Sequence, residues 1–294
     1  MLRLRLFVAG AVLQALLFAS IPTEAHAATS VQHLSITGRD VAVWKPFGDA
    51  PRNGYPLVIF SHGFTGCNTQ STFLMEALAR AGYLVVAPNH NDARCGTGTQ
   101  RGSLHPQDPF QDAKAWSDAT YRDRYKDIEA MLDAVLSKER FDGVPIDRNR
   151  VGIAGHSLGG YTALGMAGAW PSWKDPRIKA VLALSPYCSP YLDHSSLALG
   201  VPVMFQGGTL DFGITPFVRR PEGAFDQSST PAFYMELDGA GHFAWTDLNP
   251  KFHSLIDTYS IAFFDRYLKS LSPDPLAPLL KSPYAGGISA ARAK

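Results

Sequence analysis

The chain is short of cysteine, of net charge and of long apolar runs, and each shortage removes a class of function. Its three cysteines, Cys67, Cys95 and Cys188, lack the spacing of a zinc site. An odd count also leaves at least one thiol outside any internal disulfide. Lys and Arg number 27 against 26 Asp and Glu, with no basic run. The positive footprint that a nucleic-acid partner requires is therefore missing. Only one stretch is long and apolar, Leu6 to Ile21; Arg3 and Arg5 precede it, Pro22 breaks it, and Ala25-His26-Ala27 follows as a small-x-small site. At about 16 residues it falls short of the ~20 needed to span a bilayer. Its order of charged, apolar and small segments predicts a secretory leader over residues 1–27, cleaved after Ala27, and no transmembrane anchor. Removing Arg3, Arg5 and Glu24 with the leader brings the net charge from +1 to zero.

What is present is an alternation of short apolar runs and amphipathic stretches. Strands are expected at Val41 to Lys45 (an edge strand), Leu57 to Phe60, Tyr83 to Ala87, Val151 to Ala154, Ile178 to Leu184, Val201 to Phe205 and Phe233 to Leu237. Helices are expected at Thr72 to Ala81, at Tyr121 to Glu139 with Ile128, Met131, Leu132, Val135 and Leu136 on one face, and at Leu255 to Leu268. Apolar runs without polar alternation, separated by helices, predict an α/β fold: a mostly parallel sheet with helices on both faces. Functional groups then belong at the carboxyl ends of the strands. No repeat or second-domain boundary is visible, so residues 28–272 read as one domain. Residues 273–294, dominated by Pro, Gly and Ala, read as a loosely held tail. The polar segment Asn89 to Ala119 is too long for an ordinary connection and is expected to border the site. Export would permit a disulfide, and Cys67 with Cys95, each just past a strand end at the same sheet edge, is the expected pair.

The run Val151-Gly-Ile-Ala-Gly-His-Ser-Leu-Gly-Gly160 carries the chemistry. It is Gly-x-Ser-x-Gly between a strand and a helix, a turn so tight that side chains flanking the serine would collide. Ser157 is the expected nucleophile, and the Leu158 amide, at a helix start, is free to stabilise an oxyanion. A serine needs a histidine base and a carboxylate that orients it, here in the chain order Ser, Asp, His. His242 lies in the glycine-rich Asp238-Gly-Ala-Gly-His-Phe loop directly after the last expected strand. His156 occupies the variable position of the turn and is expected beneath it, and His253 at a helix start is expected to be structural. Asp211 follows the preceding strand in Gln206-Gly-Gly-Thr-Leu-Asp, whereas Glu222 and Asp226 have no strand before them. Phe60-Ser-His-Gly-Phe-Thr-Gly66 supplies a second oxyanion loop with the Phe64 amide as donor. Phe64, Tyr161, Tyr187, Phe212 and Trp245 are candidate substrate contacts, of which Phe64, Tyr187 and Trp245 are favoured by position.

Ser61-His-Gly-Phe-Thr-Gly66, Gly155-His-Ser-Leu-Gly-Gly160, Asp211 and Gly241-His-Phe243 together resemble the α/β-hydrolase superfamily. The nearest likenesses are the dienelactone-hydrolase-like and platelet-activating-factor-acetylhydrolase-like esterases and the bacterial cutinase and polyester-hydrolase branch. In that last branch an aromatic at the position of Phe64 lines the acyl site, and a Pro-aromatic pair at the position of Pro186-Tyr187 flanks the substrate. The branch commonly has methionine where this chain has Leu158, and residues 89–119 form a longer segment here. The leader implies export to the periplasm or the medium, and the resemblance implies a serine hydrolase of carboxylic esters. Short or medium acyl, aromatic or polymeric esters would be its substrates, with no metal or organic cofactor and as a monomer. A serine peptidase of the same fold and a non-catalytic binding member remain as alternatives.

Overall fold

Runs of aliphatic residues without polar alternation become strands buried on both faces. The structure, a computed structural model, describes residues 30–94, 110, 112–194 and 197–294. The expected leader over 1–27, Cys95 of the expected disulfide, and most of the long 89–119 segment lie outside the described residues. The strands are β1 (Gln32–Ile36), β2 (Arg39–Trp44), β3 (Tyr55–Ser61), β4 (Leu84–Pro88), β5 (Arg140–Phe141), β6 (Val144–His156), β7 (Ile178–Leu184), β8 (Val203–Gly208), β9 (Ala232–Leu237) and β10 (Ile288–Ala293). The helices are α1 (Thr72–Arg80), α2 (Arg122–Leu136), α3 (Leu158–Leu164), α4 (Ser189–Leu192), α5 (Thr215–Arg219), α6 (Ala224–Gln227) and α7 (His253–Phe264).

Among the described residues the sheet runs β1-β2-β4-β3-β6-β7-β8-β9-β10, open at both edges, with β5 folded back on β6. From β4 to β9 every neighbour is parallel, and β1, β2 and β10 add antiparallel margins. This is the expected α/β architecture. Alternate residues of each inner strand feed two cores: Leu57, Ile59, Val151 and Ile153 point toward α2 and α3, and Val58, Phe60, Ala154 and Leu182 toward α1 and α7. The helix pattern of α2 follows from its sequence, with Ile128, Met131, Leu132 and Val135 all buried.

Two expectations are corrected. The strand at Val41 is not an edge. β1 pairs outside it, from Gln32↔Val43 to Ile36↔Arg39, and Val41 to Trp44 are fully buried. The residues after 272 are not loose along their whole length either. β10 pairs antiparallel with β9 from Ile288↔Leu237 to Ala293↔Phe233, and Lys294 and Ala232 exchange backbone hydrogen bonds at 3.0 and 3.1 Å. The physical reason is that β9 would otherwise be a fully buried strand with one bare edge, and an antiparallel strand satisfies its N–H and C=O groups. Ile288-Ser-Ala-Ala-Arg-Ala escaped notice because its alternation is built from small residues. A chain ending at Gly286 is expected to lose several ladder bonds worth about 1 kcal/mol each net. That corresponds to a melting point lower by roughly 5–15 °C. Calorimetry of the truncated protein checks this, and an unchanged transition would show the strand to be dispensable.

Candidate active site

β3 and β6 run parallel in register, with Phe60 opposite Ala154 and Ser61 opposite Gly155, so their carboxyl ends deliver two loops to one place. At the end of β6 the chain turns directly into α3, and Ser157 takes φ 55°, ψ −117°. Such a conformation costs a non-glycine residue of the order of 1–3 kcal/mol and persists only where the surroundings enforce it. They do so here. Ser157 N–H donates to Leu184 O at 3.0 Å, and its carbonyl accepts from Tyr161 and Tyr187 N–H. A Cβ on Gly155 would lie 2.1 Å from Gly159 O, and one on Gly159 only 1.9 Å from Ser61 O. The glycines on both sides of the serine are thus required, as the motif predicts, and Gly159 lets the turn press against the Ser61 loop.

The structure brings Ser157, His242 and Asp211 together. Ser157 Oγ lies 2.9 Å from His242 Nε2, and His242 Nδ1 lies 3.2 Å from Asp211 Oδ1. Ser185, at the end of β7, joins them: its hydroxyl donates to Asp211 Oδ2 at 2.5 Å, and its Oγ is 2.9 Å from His242 Nδ1. Thr215 Oγ1 donates to the same Oδ2 at 3.0 Å. Burial pushes the Asp211 carboxyl up, but the hydrogen bonds from His242, Ser185 and Thr215 and the charge of His242 outweigh it and hold its pKa below the ordinary value. Asp211 is therefore an anion at neutral pH, placed to hold the imidazole and stabilise a proton on it. Ser185, immediately before the Pro186-Tyr187 pair, is not among the residues that the sequence reading assigns to the site. Its position at a strand end beside that of Asp211 was the available signal.

The loop after β3 is held from beneath by a buried cation. Arg124, on α2 and fully buried, donates to His62 O at 2.7 Å, to Gly63 O at 3.1 Å and through two nitrogens to Asp92. Asp92 Oδ2 in turn accepts from Thr65 N–H at 3.0 Å, and Gly63 N–H donates to Gln70 Oε1 at 2.9 Å. The Phe64 and Leu158 amides, by contrast, donate to no group among the described residues. Burial raises the Asp92 carboxyl, yet the Arg124 charge and hydrogen bonds more than reverse this and depress it well below the usual range. The same cation and burial keep His62 and His90 neutral. Arg124 escaped the sequence reading although Arg124 and Asp127 share the helix face of Ile128 and Met131, where charge is out of place.

Above these groups opens a cleft of about 1030 Å³, large enough for an acyl or aromatic group together with an alcohol portion. Phe64, Phe110, Tyr187, Phe212, Phe243 and Leu248 give it an apolar lining. Phe64 and Tyr187, two of the expected substrate contacts, are thus both in the cleft wall. Phe110, from the long 89–119 segment, packs edge-on against both, at 5.2 and 5.0 Å between ring centres. Trp245 is corrected. It is 0 % exposed, beneath the site, with its indole N–H on Gln206 Oε1 at 3.0 Å, because the single helical turn starting at His242 rotates it into the core. Phe212, set lower by the sequence reading, is 73 % exposed at the rim. Tyr161 is buried and bonds Thr120 O. His253 is structural as expected, bonded to Thr246 O and stacked on Phe73. Among the described residues no group of His, Cys, Asp or Glu is arranged to hold a metal ion, and no helix is long and apolar enough to cross a membrane.

Arg124→Met is expected to strand the Asp92 carboxylate in the interior and to cost about 3–5 kcal/mol. Arg124→Lys should recover little, because an ammonium lacks the fork that reaches two carbonyls and a carboxylate together. Because the folded pKa of Asp92 is depressed, the pair's contribution is present above the usual carboxylate range and is lost as pH falls through the depressed value. Urea unfolding of both proteins from pH 4 to pH 8, where the contribution is present, measures its size. Equal stability of wild type and Arg124→Met across that range would contradict the anchoring role.

Residues 58–288 match the model of the family described as "Alpha/beta hydrolase family". The chain is 28 % identical over 239 residues to cutinase est1 of Thermobifida alba, covering 78 % of this chain and 68 % of that protein. It is 27 % identical over 218 residues to cutinase 2 of Thermobifida cellulosilytica, covering 74 % and 70 %. It is 26 % identical over 243 residues to a bis(hydroxyethyl) terephthalate hydrolase of Streptomyces coelicolor, covering 82 % and 66 %. The family match runs from within β3 to the start of β10 and takes in every loop that meets at Ser157, and the chain belongs to the alpha/beta hydrolase family.

Proposed function

We propose that this chain hydrolyses carboxylic esters through Ser157, His242 and Asp211 by way of an acyl-enzyme. The observation that carries the reading is the 2.9 Å contact from the strained Ser157 to His242 Nε2, with Asp211 behind the imidazole. Ser157 Oγ attacks the ester carbonyl as His242 takes its proton. Asp211 balances the imidazolium, and the Phe64 and Leu158 amides hold the oxyanion. Collapse of the tetrahedral intermediate expels the alcohol, which takes the proton from His242. Water then attacks the acyl-enzyme with His242 as base again and releases the acid. No metal or organic cofactor enters these steps. The apolar cleft favours short to medium acyl and aromatic groups. The similarity to cutinases and to a bis(hydroxyethyl) terephthalate hydrolase supports soluble aromatic esters and polyesters as candidates. Phe64 and Tyr187 are the proposed substrate contacts.

A p-nitrophenyl ester series from acetate to palmitate tests this. Activity should peak at short or medium chains and fall at least about 10⁴-fold in Ser157→Ala. Asp211→Asn should cost a similar factor by favouring the wrong tautomer of His242. A folded protein inert toward every ester would remove the reading and favour a peptidase or a binding role.

Export with cleavage after Ala27 and a Cys67–Cys95 disulfide complete the proposal. Arg3, Arg5, the apolar run and Ala25-His26-Ala27 support it, as does a buried Cys188 that is free. Intact mass of the exported protein should give Ala28 as its first residue. Alkylation after unfolding without reductant should label one thiol; three labels would exclude the disulfide.

A further inference from the structure

His156 fills the variable position of the Gly-x-Ser-x-Gly turn and is only 2 % exposed. Its ring lies between the two loops that meet at Ser157. Gly63 N–H donates to Gln70 Oε1 at 2.9 Å, Gln70 Nε2 lies 3.0 Å from His156 Nδ1, and His156 Nε2 lies 2.9 Å from His242 O. Each link has only one possible polarity. A backbone N–H only donates, so Gln70 must present its oxygen to Gly63 and its amide N–H to His156. His156 Nδ1 must then accept. A backbone carbonyl only accepts, so the His156 proton must sit on Nε2. Burial, and next the nearby charge of His242, lower the His156 pKa to about 3, so the ring remains neutral while His242 gains and loses its proton.

We propose that Gln70 and His156 form a positioning relay that fixes the Phe64 loop and the His242 loop relative to each other across Ser157. The inference rests on the reading of Ser157, His242 and Asp211 as the catalytic groups. The relay is built where it matters. Its first link engages the amide just before Phe64, and its last grips the carbonyl of His242 itself. It also uses up Gly63 N–H, leaving the Phe64 amide to face the substrate. His242 opens a single short helical turn, His242–Trp245, after an extended Gly241, and the His156 ring adds a side-chain contact to its carbonyl. His156 rests against His242 with ring centres 4.8 Å apart, and lies 6.3 Å from buried Trp245.

The test compares wild type with His156→Leu, His156→Gln and Gln70→Leu, using kcat and KM for p-nitrophenyl butyrate and circular dichroism to establish folding. Misplaced catalytic groups typically cost about 10- to 100-fold. His156→Leu and Gln70→Leu should lose about that much in kcat with KM within about twofold. His156→Gln, whose amide can both accept from Gln70 and donate to His242 O, should return to within about fivefold of wild type. Folded leucine variants with wild-type kcat, or a folded glutamine variant no better than leucine, overturn the relay. If the His156 variants do not fold, the partly exposed Gln70→Leu decides alone.

A long-range ¹H–¹⁵N spectrum of the wild-type imidazoles reads the tautomer without reference to turnover. A neutral ring protonated on Nε2 for His156 at pH 7 supports the relay; an Nδ1–H tautomer or an imidazolium overturns it. Ser157→Ala assayed in parallel separates the two failures. Activity that survives in it removes the catalytic reading, and the spectrum then judges the hydrogen-bonded chain by itself.

Discussion

Every group at the site is referred to one backbone contact that has no room for a side chain. The Gly155–Gly160 turn lies against the Ser61 loop so closely that a methyl group on Gly159 would overlap the Ser61 carbonyl. Parallel pairing of β3 with β6 in register creates this approach, and the turn from β6 into α3 strains Ser157 in order to keep it. The gain is geometric. Ser157 meets the cleft, which Gly63 and Phe64 also line. Local strain of about 1–3 kcal/mol is tolerable because the strands beneath are buried on both faces.

Polarity is arranged in layers around that contact. Below the Ser61 loop lies a dry charged cluster in which Arg124 and Asp92 satisfy one another and three groups of the loop, His62 O, Gly63 O and Thr65 N–H. A buried ion pair is no efficient source of stability, since desolvation takes back much of the Coulomb energy. What it does well is specify geometry, because a planar guanidinium with several buried partners has few alternative arrangements. Above the loop the lining is aromatic and aliphatic, with Phe64 and Phe110 meeting edge to face and Phe212, Phe243 and Leu248 exposed at the rim. The Arg124 and Asp92 charges are thus kept out of the cleft lining. A neutral ester meets apolar walls and a small set of directed hydrogen-bond donors.

Much of this was legible in the sequence, for identifiable reasons. The inner strands are unbroken aliphatic runs, and Ile178 to Leu184 is a strand over the same residues that its composition marks. Ser157, Asp211 and His242 each follow a strand, so chain order and sheet logic were enough to bring them together. What escaped depends on rotation or on partners distant in the chain. Trp245 follows a strand end on the correct side, but one helical turn carries it inward to Gln206. β10 is composed of small residues, and its pairing with β9 joins segments about 50 residues apart in register, which no local pattern records. Gln70 and Ser185 look like ordinary loop residues until their partners, His156 and Asp211, are placed beside them.

Hydrogen-bond connectivity alone would not single out Ser157. Ser61 Oγ lies 2.9 Å from His90 Nε2, and His90 Nδ1 lies 2.9 Å from Asp127 Oδ2, so a second Ser–His–Asp chain sits in the same molecule. Ser61 and His90 are completely buried and Asp127 nearly so; Arg39 pairs with the same carboxylate. That serine ends a regular strand, does not line the cleft against Ser157 and supports the loop that carries Phe64. Ser157 differs in its surroundings rather than in its partners. It has a backbone conformation that lifts the hydroxyl out of the sheet, two unengaged amides nearby and an apolar cavity against it. On the proposed reading, reactivity therefore belongs to the turn and to what the turn faces. The polar chemistry of a serine, a histidine and an aspartate is equally suited to holding a loop in place.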